Sequence, residues 1–466
     1  MNVSMMSNAI VSGRHWFVGM CLLVVVASVL GAAPASGPLA FPGAEGFGRF
    51  AKGGRGGDVY HVTSLADDGT GSLRYGIATA GGPRTIVFDV SGTIALRSEL
   101  RIDKSYLTLA GQTAPGDGIT LRDQTVSLKG CHDVIIRYLR VRLGDKHKVP
   151  SGPDTLTTED FDNVILDHLS LSWAIDGTHD FRAGRNFTIQ WSILSEALHD
   201  SIHPKGPHAM CASYREPDGP ISLHHNLFST CRDRHPTLGS ADPGDPLTVV
   251  DFRNNVIYNW SATANFCDHF VNAVNNYWRP GPETNRERLP IAMKGGLPDA
   301  ARGWMSGNIF EGRSDWTDDN CAALDWHRWL HPGSSYKYAG TLRDWKARPP
   351  TLGADAPATQ SAEDAYELVL AHAGASLSRD AVDERVIADV RNRTGRLLDS
   401  QDEVGGWPIL RTRGVWADAD GDGMADVWEA AHGLDPEDPK DGPQDRDGDG
   451  YTNLEEYINS LIPATS

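Results

Sequence analysis

Val134-Ile-Ile-Arg-Tyr-Leu, Val164-Ile-Leu-Asp-His-Leu, Phe187-Thr-Ile-Gln-Trp-Ser, Ile221-Ser-Leu-His-His-Asn, Val250-Asp-Phe-Arg-Asn-Asn and Val271-Asn-Ala-Val-Asn-Asn are six versions of one pattern. Each alternates like a strand and ends on a polar or aromatic turn residue. Successive starts lie 30, 23, 34, 29 and 21 residues apart. The shorter intervals suit one coil of a parallel β-helix, and the longer ones suit coils with inserted loops. Asn226, Asn255 and Asn276 recur at one phase of the pattern, which predicts side-chain amides hydrogen-bonded along the helix axis. A β-sandwich also alternates but has no reason to repeat Asn at one phase. The expected fold is therefore all-β, a right-handed parallel β-helix repeating over about residues 84–312.

Outward from the repeats, Phe41-Pro-Gly-Ala-Glu-Gly-Phe-Gly through Gly53-Gly-Arg-Gly-Gly lacks the Gly-Lys-Ser/Thr ending of a phosphate loop. It reads instead as tight turns opening the first coil before the strand Asp58-Val-Tyr-His-Val-Thr. Residues 361–393 switch to helical periodicity, with Ser361 and Asp364 as a capping signature, Gly374 at a helix end and Asp380 starting a second helix. These helices are expected to pack against the coils. At the N-terminus, Arg14 and His15 precede an apolar run from Trp16 to Leu30, followed by Ala33-Pro34-Ala35. This is the pattern of a cleaved export signal over 1–35. No second long apolar run follows, so no membrane span is expected after cleavage. The expected destination is secretion, extracellular or periplasmic.

The composition is globular, 40% hydrophobic and 22% charged over 466 residues. The net charge of −18 is concentrated: residues 416–466 hold fourteen Asp or Glu against Lys440 and Arg446. The body at 36–408 thus keeps room for a polyanionic partner. No basic stripe with interleaved aromatics points to nucleic acid. Beyond Cys21 in the signal, five scattered cysteines (131, 211, 231, 267 and 321) form no dense framework. A bridge such as Cys211–Cys231 is the pairing considered.

After a linker near Gly405-Gly406-Trp407-Pro408, the tail carries Asp418-x-Asp420-x-Asp422-Gly423 with Glu429, then Asp445-x-Asp447-x-Asp449-Gly450 with Glu456. Both match the twelve-residue EF-hand loop. Carboxylates at positions 1, 3 and 5 face one ion, Gly at position 6 permits the turn, and the final Glu can bind through both oxygens. Met424 and Asp426 fill the remaining ligand positions of the first loop, and Tyr451 and Asn453 those of the second. The pair resembles dockerin and related calcium-stabilised tails, which implies a structural role or a docking partner.

Residues 150–240 concentrate the polar chemistry. Asn163-Val-Ile-Leu-Asp-His168, His224-His-Asn-Leu-Phe and Arg232-Asp-Arg-His-Pro236 resemble polysaccharide lyase family one, the pectate lyases, over about Phe41 to Trp407. The resemblance implies β-elimination on a pectate-like uronate polymer with Ca²⁺ as cofactor. The C5 proton of a uronate is weakly acidic beside a carboxylate, and a cation on that carboxylate withdraws charge. By position, Asp154, Asp176 and Asp180 resemble the family's calcium ligands, and hard oxygen donors suit Ca²⁺. Arg234 occupies the position of the catalytic Arg, thought to act as the Brønsted base. Such a group ordinarily stays protonated, and nearby positive charge would favour its neutral form. Lys205, in His203-Pro-Lys-Gly-Pro-His208, is the candidate contact for the substrate carboxylate. Arg232, His235 and Arg215 are candidate substrate-binding residues.

Gly152 and Gly239 depart from the family, standing where relatives have a further Asp and a second Arg. Asp167 and His168 read as structural, capping turns beside the cleft. The histidines 199, 203, 208, 224, 225 and 235 show no zinc-protease spacing. Three other functions compete with the lyase. A calcium-free pectin lyase would lack the acidic triplet. A polygalacturonase-type hydrolase would need paired carboxylates. A non-catalytic glycan-binding β-helix would use the tail for attachment only.

Overall fold

The computed structural model describes residues 37–146, 152–239, 248–267, 269–293, 302–325, 352 and 355–463. The export signal expected at 1–35 lies outside them. Among the described residues, 17 strands pair in one sheet and nine in another, every pairing parallel. The larger sheet folds into two ladders. One carries strands Leu100–Ile102, Val126–Lys129, Met210–Arg215, Thr237–Leu238 and Ala264–Phe266. The other carries Arg84–Phe88, His132–Arg137, Ile221–His224, Val249–Arg253 and Phe270–Val274. Strands Leu156–Asp167 and Gly177–Gln190 run through both. With the nine-stranded sheet, three ladders enclose one apolar interior, which is the β-helix.

The six repeats stack residue for residue in the second ladder. Val134 pairs with Val164, Val164 with Phe187, Phe187 with Ile221, Ile221 with Val250, and Val250 with Val271. Alternation explains the register, since a slip by one residue would turn every apolar side chain outward. The amide ladder forms as expected and runs further. Nδ2 of Asn226 donates to Oδ1 of Asn255 (3.1 Å), Asn255 to Asn276 (3.0 Å), Asn276 to Asn308 (2.8 Å) and Asn308 to Asn320 (3.0 Å). Each turn before an early rung places one residue at positive φ, such as His225 (55°), Asn254 (51°) and Asn275 (53°). Asn tolerates that region better than most residues.

Helix Ala362–His372 is capped by Ser361, which accepts from the Asp364 amide, and helix Ala381–Asn392 is capped by Asp380. Val369, Leu370, Val386 and Val390 pack on Ile193, Leu227, Val256 and Tyr258 of the nine-stranded sheet. Arg142 enters the same seam and is held there by Asp380 (2.8 Å) and Asp383 (2.9 Å). The glycine-rich segment does form turns, but they lie across the outer face of the second ladder. Gly48 donates to Thr188 Oγ1 (2.9 Å) and Gly54 to Thr108 Oγ1 (2.9 Å). A Cβ on Gly48 would stand 2.3 Å from the Val164 carbonyl oxygen, so only glycine permits this approach. Among the described residues, no helix is long and apolar enough to cross a membrane.

Candidate active site

The site grows from the entrances of two adjacent coils on the first ladder. Asp154 precedes the strand Leu156–Asp167, and Asp176 precedes Gly177–Gln190. Hydrogen bonds from Thr155 N to Gly177 O (3.0 Å) and from Asp176 N to Pro153 O (3.1 Å) hold the two entrances side by side. Gly177 N donates to Asp154 Oδ1 (2.8 Å). Strand alternation then buries His179 and Phe181 and turns Asp180 outward. Asp180 is in register with Ser213, and Ser213 with Thr237, on successive coils. Arg234, at φ 60°, sits just before that last strand and reaches back from Nη1 to Ser213 Oγ (3.1 Å). The Asp233 carboxylate pins its amide at 2.8 Å. Asp154, Asp176, Asp180 and Arg234 therefore come together on one flank.

This flank is under-neutralised. Burial, followed by the charges of Asp180 and Asp176, holds the Asp154 carboxyl well above its usual range. Burial also raises Asp180, against the opposing pull of Arg215 and Arg234. Asp176 Oδ1 is buried without a hydrogen-bond partner. The free Asp176 oxygen fits a hard cation such as Ca²⁺, with Asp154 beside it, whereas Asp180 would have to release Arg215 to serve as a ligand. Arg215 does not project freely towards a substrate. Its Nη2 lies 2.7 and 2.8 Å from the two oxygens of Asp180, in keeping with its diagonal position on the next strand.

The expected rim residues separate into two groups. Lys205 and Arg232 are exposed, and Arg232 Nη1 ties the Lys205 loop down through Pro207 O (3.0 Å). His235 is a correction. It is 0% exposed, beside Cys211 and Cys231 in the interior, and burial lowers it to about 3. The chain alternates at this point, so Arg234 faces out and His235 faces in, where it cannot touch a polymer. Cys211 and Cys231 are neighbouring buried free thiols, so the bridge considered between them is not formed.

Sequence reasoning passed over His203 and His208. Their rings stack with centroids 3.4 Å apart, and together with Asp176 they place ligand atoms within 4.8 Å of one another. The signal was their spacing around a Pro-Lys-Gly-Pro turn, with Gly206 at φ 82° folding the loop back. Gly152 belongs to the same pocket, because a Cβ there would meet the His203 ring at 1.9 Å. Gly239 is likewise closed off, by the His269 ring at 2.5 Å. Asp167 and His168 are structural, but at the far end of the strands from Asp154. Asp167 pairs with Arg137 (2.7 Å), and His168 stacks on Tyr138.

No family model matches the chain. Relatives nevertheless match it almost end to end. The probable pectate lyase C of Aspergillus flavus is 34% identical, covering 92% of this chain and 95% of its own. That of Emericella nidulans is 35% identical, covering 91% and 93%. The chain belongs to the pectate lyase family. It is a polysaccharide lyase. The crystal structure of Jun a 1, the major allergen from cedar pollen, shares the fold. It is 19% identical with a TM-score of 0.51, covering 70% of this chain and 91% of that one.

This pectate lyase also carries the two acidic tail loops. Each runs into a helix, Asp426–His432 and Asn453–Ser460, but among the described residues no helix abuts its start, so the unit is loop–helix rather than helix–loop–helix. Asp418, Asp420 and Asp422 converge within 4.8 Å, and so do Asp445, Asp447 and Asp449. Met424 is buried and donates its amide to Asp422 Oδ1 (2.9 Å), while Asp426 Oδ1 accepts from Ala419 N (2.8 Å). Tyr451 N donates to Asp449 Oδ1 (2.8 Å), and Glu456 lies near enough to be raised by the second loop's carboxylates, after burial. Asn453 is a correction. It is buried and gives its amide to Asp441 O (2.7 Å), so its side chain serves the inter-loop segment instead of the second loop.

Proposed function

We propose that this chain is a secreted pectate lyase that cleaves polygalacturonate-type polymers by calcium-assisted β-elimination. The observation carrying the reading is the juxtaposition of Arg234, locked by Ser213 and Asp233, with three carboxylates of which Asp176 Oδ1 is unpartnered. Asp154, Asp176 and Asp180 would hold Ca²⁺. Bound there, the ion supplies Lewis-acid withdrawal from the uronate carboxylate. Arg234, as the neutral guanidine after giving its proton to water, takes the C5 proton, the C–H electrons form the C4–C5 double bond, and O4 departs with its bonding pair to be protonated from water. Lys205 and Arg232 face the polymer's other carboxylates from the rim. Arg215 steadies Asp180 and so acts on the substrate only through that carboxylate.

The same reading assigns residues 1–35 to an export signal, 36–408 to the lyase body with its helical segment at 361–393, and 416–466 to a calcium-binding tail that resembles dockerin. The tail ligands are Asp418, Asp420, Asp422, Asp426 and Glu429 with the Met424 carbonyl, then Asp445, Asp447, Asp449 and Glu456 with the Tyr451 carbonyl. The deciding experiment incubates the purified protein with polygalacturonate and Ca²⁺ and follows the ultraviolet absorbance of 4,5-unsaturated oligouronides. That absorbance is expected to rise with calcium and stop with a chelator. New reducing ends without unsaturation would instead mean hydrolysis.

A further inference from the structure

We propose that Asp441, from the segment between the tail loops, joins Asp422 and Glu429 in a buried site for a hard divalent cation, and that filling it locks the tail onto the first coils of the β-helix. The inference rests on the proposal above that the tail binds calcium, and it adds a ligand that lies in neither twelve-residue loop.

The three side chains present ligand atoms within 4.8 Å of one another. Glu429 is 0% exposed, Asp422 4% and Asp441 8%. Each aspartate spends one oxygen on the backbone and keeps the other free. Asp422 Oδ1 accepts from Met424 N (2.9 Å) and Asp441 Oδ2 from Asp435 N (3.0 Å). Asp422 Oδ2, Asp441 Oδ1 and both oxygens of Glu429 are buried with no hydrogen-bond partner. Among the described residues, none of the three carboxylates forms an ion pair with Lys or Arg. Buried anionic oxygens left this way are costly. A cation with oxygen preference and loose geometry, above all Ca²⁺, satisfies all four atoms at once.

The position of Asp441 makes the site a clasp. Its own carbonyl accepts from Asn453 Nδ2 (2.7 Å) at the start of the second tail helix, and Gly442 O accepts from Leu454 N (3.1 Å). A Cβ on Gly442 would stand 2.3 Å from Asp422 Oδ2, so the segment lies directly over the first loop. Met424 and Ala425 then continue into an apolar cluster with Leu454, Tyr457 and Ile458 against Val87 and Ala110 of the early coils. Arg55 holds Glu455 (2.9 Å) at the same seam.

The test strips the full chain of metal, titrates it with CaCl2, counts bound ions by native mass spectrometry and records melting temperature with and without Ca²⁺. The wild type is expected to gain tail ions and melt higher with Ca²⁺. Asp441→Asn is expected to bind one of them about tenfold more weakly or not at all. It should melt no lower than wild type in chelator, because a buried charge is gone, and lose most of the calcium-dependent rise. An unchanged ion count and rise would overturn the proposal. So would a melting temperature lowered equally with and without Ca²⁺, which marks a merely structural Asp441. If Asp441→Asn fails to fold, Asp441→Ser, which keeps an oxygen for the Asp435 amide, is read in the same way. Asp420→Asn separates the two readings. Loss of an ion there but not at Asp441 sinks only the present inference, whereas a wild-type tail that binds no calcium sinks both.

Discussion

The cleft and the tail both gather carboxylates, yet they neutralise them differently. In the cleft, Arg215 lies on Asp180, and Arg234 is close enough to pull down both Asp154 and Asp180. In the tail, among the described residues, no guanidinium offsets them: burial and neighbouring carboxylates push Glu429 up to about 7, and burial, against the Met424 amide, pushes Asp422 up to about 6. A site with guanidinium groups can stay assembled between turnovers and exchange its cation. One built only of buried carboxylates depends on the cation for its closed form. The contrast separates an ion used in chemistry from an ion used as structure.

The sharpest way to break this comparison is Arg234→Lys. A lysine keeps the positive charge but not the planar reach to Ser213 Oγ, so the rate of unsaturated-product formation should fall by about 10²–10⁴. The melting temperature should barely move. Near-normal turnover would remove Arg234 from the chemistry and leave the cleft as a mere ion pair.

A middle-sized effect should distinguish the two acid clusters. Asp154→Asn is expected to raise the calcium concentration for half-maximal activity roughly tenfold, with activity returning at high Ca²⁺. Asp447→Asn in the exposed second tail loop should leave that calcium curve in place. Equal shifts in both variants would show that one pool of calcium serves both regions.

The smallest effect concerns acid stability, where the raised carboxyls of Asp422 and Glu429 gain on acidification and buried histidines lose. His179 and His235 are lowered to about 3 and His225 to about 4, each mainly by burial. Unfolded histidine titrates near about 6.5. Between those limits the unfolded chain binds protons that the folded one refuses, so stability is full above about pH 6.5 and is lost as pH falls towards 4 and 3. Urea midpoints measured down this range should decline steadily. A flat profile from pH 7 to 4 would mean that the loss at these rings does not exceed the gain at the raised carboxyls.

The fold was legible because one period repeated in phase, and the six quoted strands pair at the very residues where the pattern starts. Asn226, Asn255 and Asn276 were readable for the same reason, whereas Asn308 and Asn320 were hidden by the loss of alternation around them. The cleft was legible only in parts. Asp154, Asp176, Asp180 and Arg234 stand at motif positions, but which face His235 takes depends on the strand phase after a turn, and spacing does not give that. Arg215 could not be assigned to Asp180 without the register between coils. Asp441 escaped because loop matching looks inside twelve residues, and its contact with Asp422 arises from the chain doubling back over the intervening helix.

The amide ladder has a consequence for how such an enzyme can vary. Its rungs are separated by 29, 21, 32 and 12 residues, yet each rung meets the next at 2.8–3.1 Å. The ladder therefore fixes phase and is indifferent to contour length. Surplus chain must bulge out between rungs, as residues 280–290 do between Asn276 and Asn308, ahead of the strand Ile291–Met293. Loops on these later coils can then lengthen, shorten or change their charges while the column of asparagines keeps those coils in step.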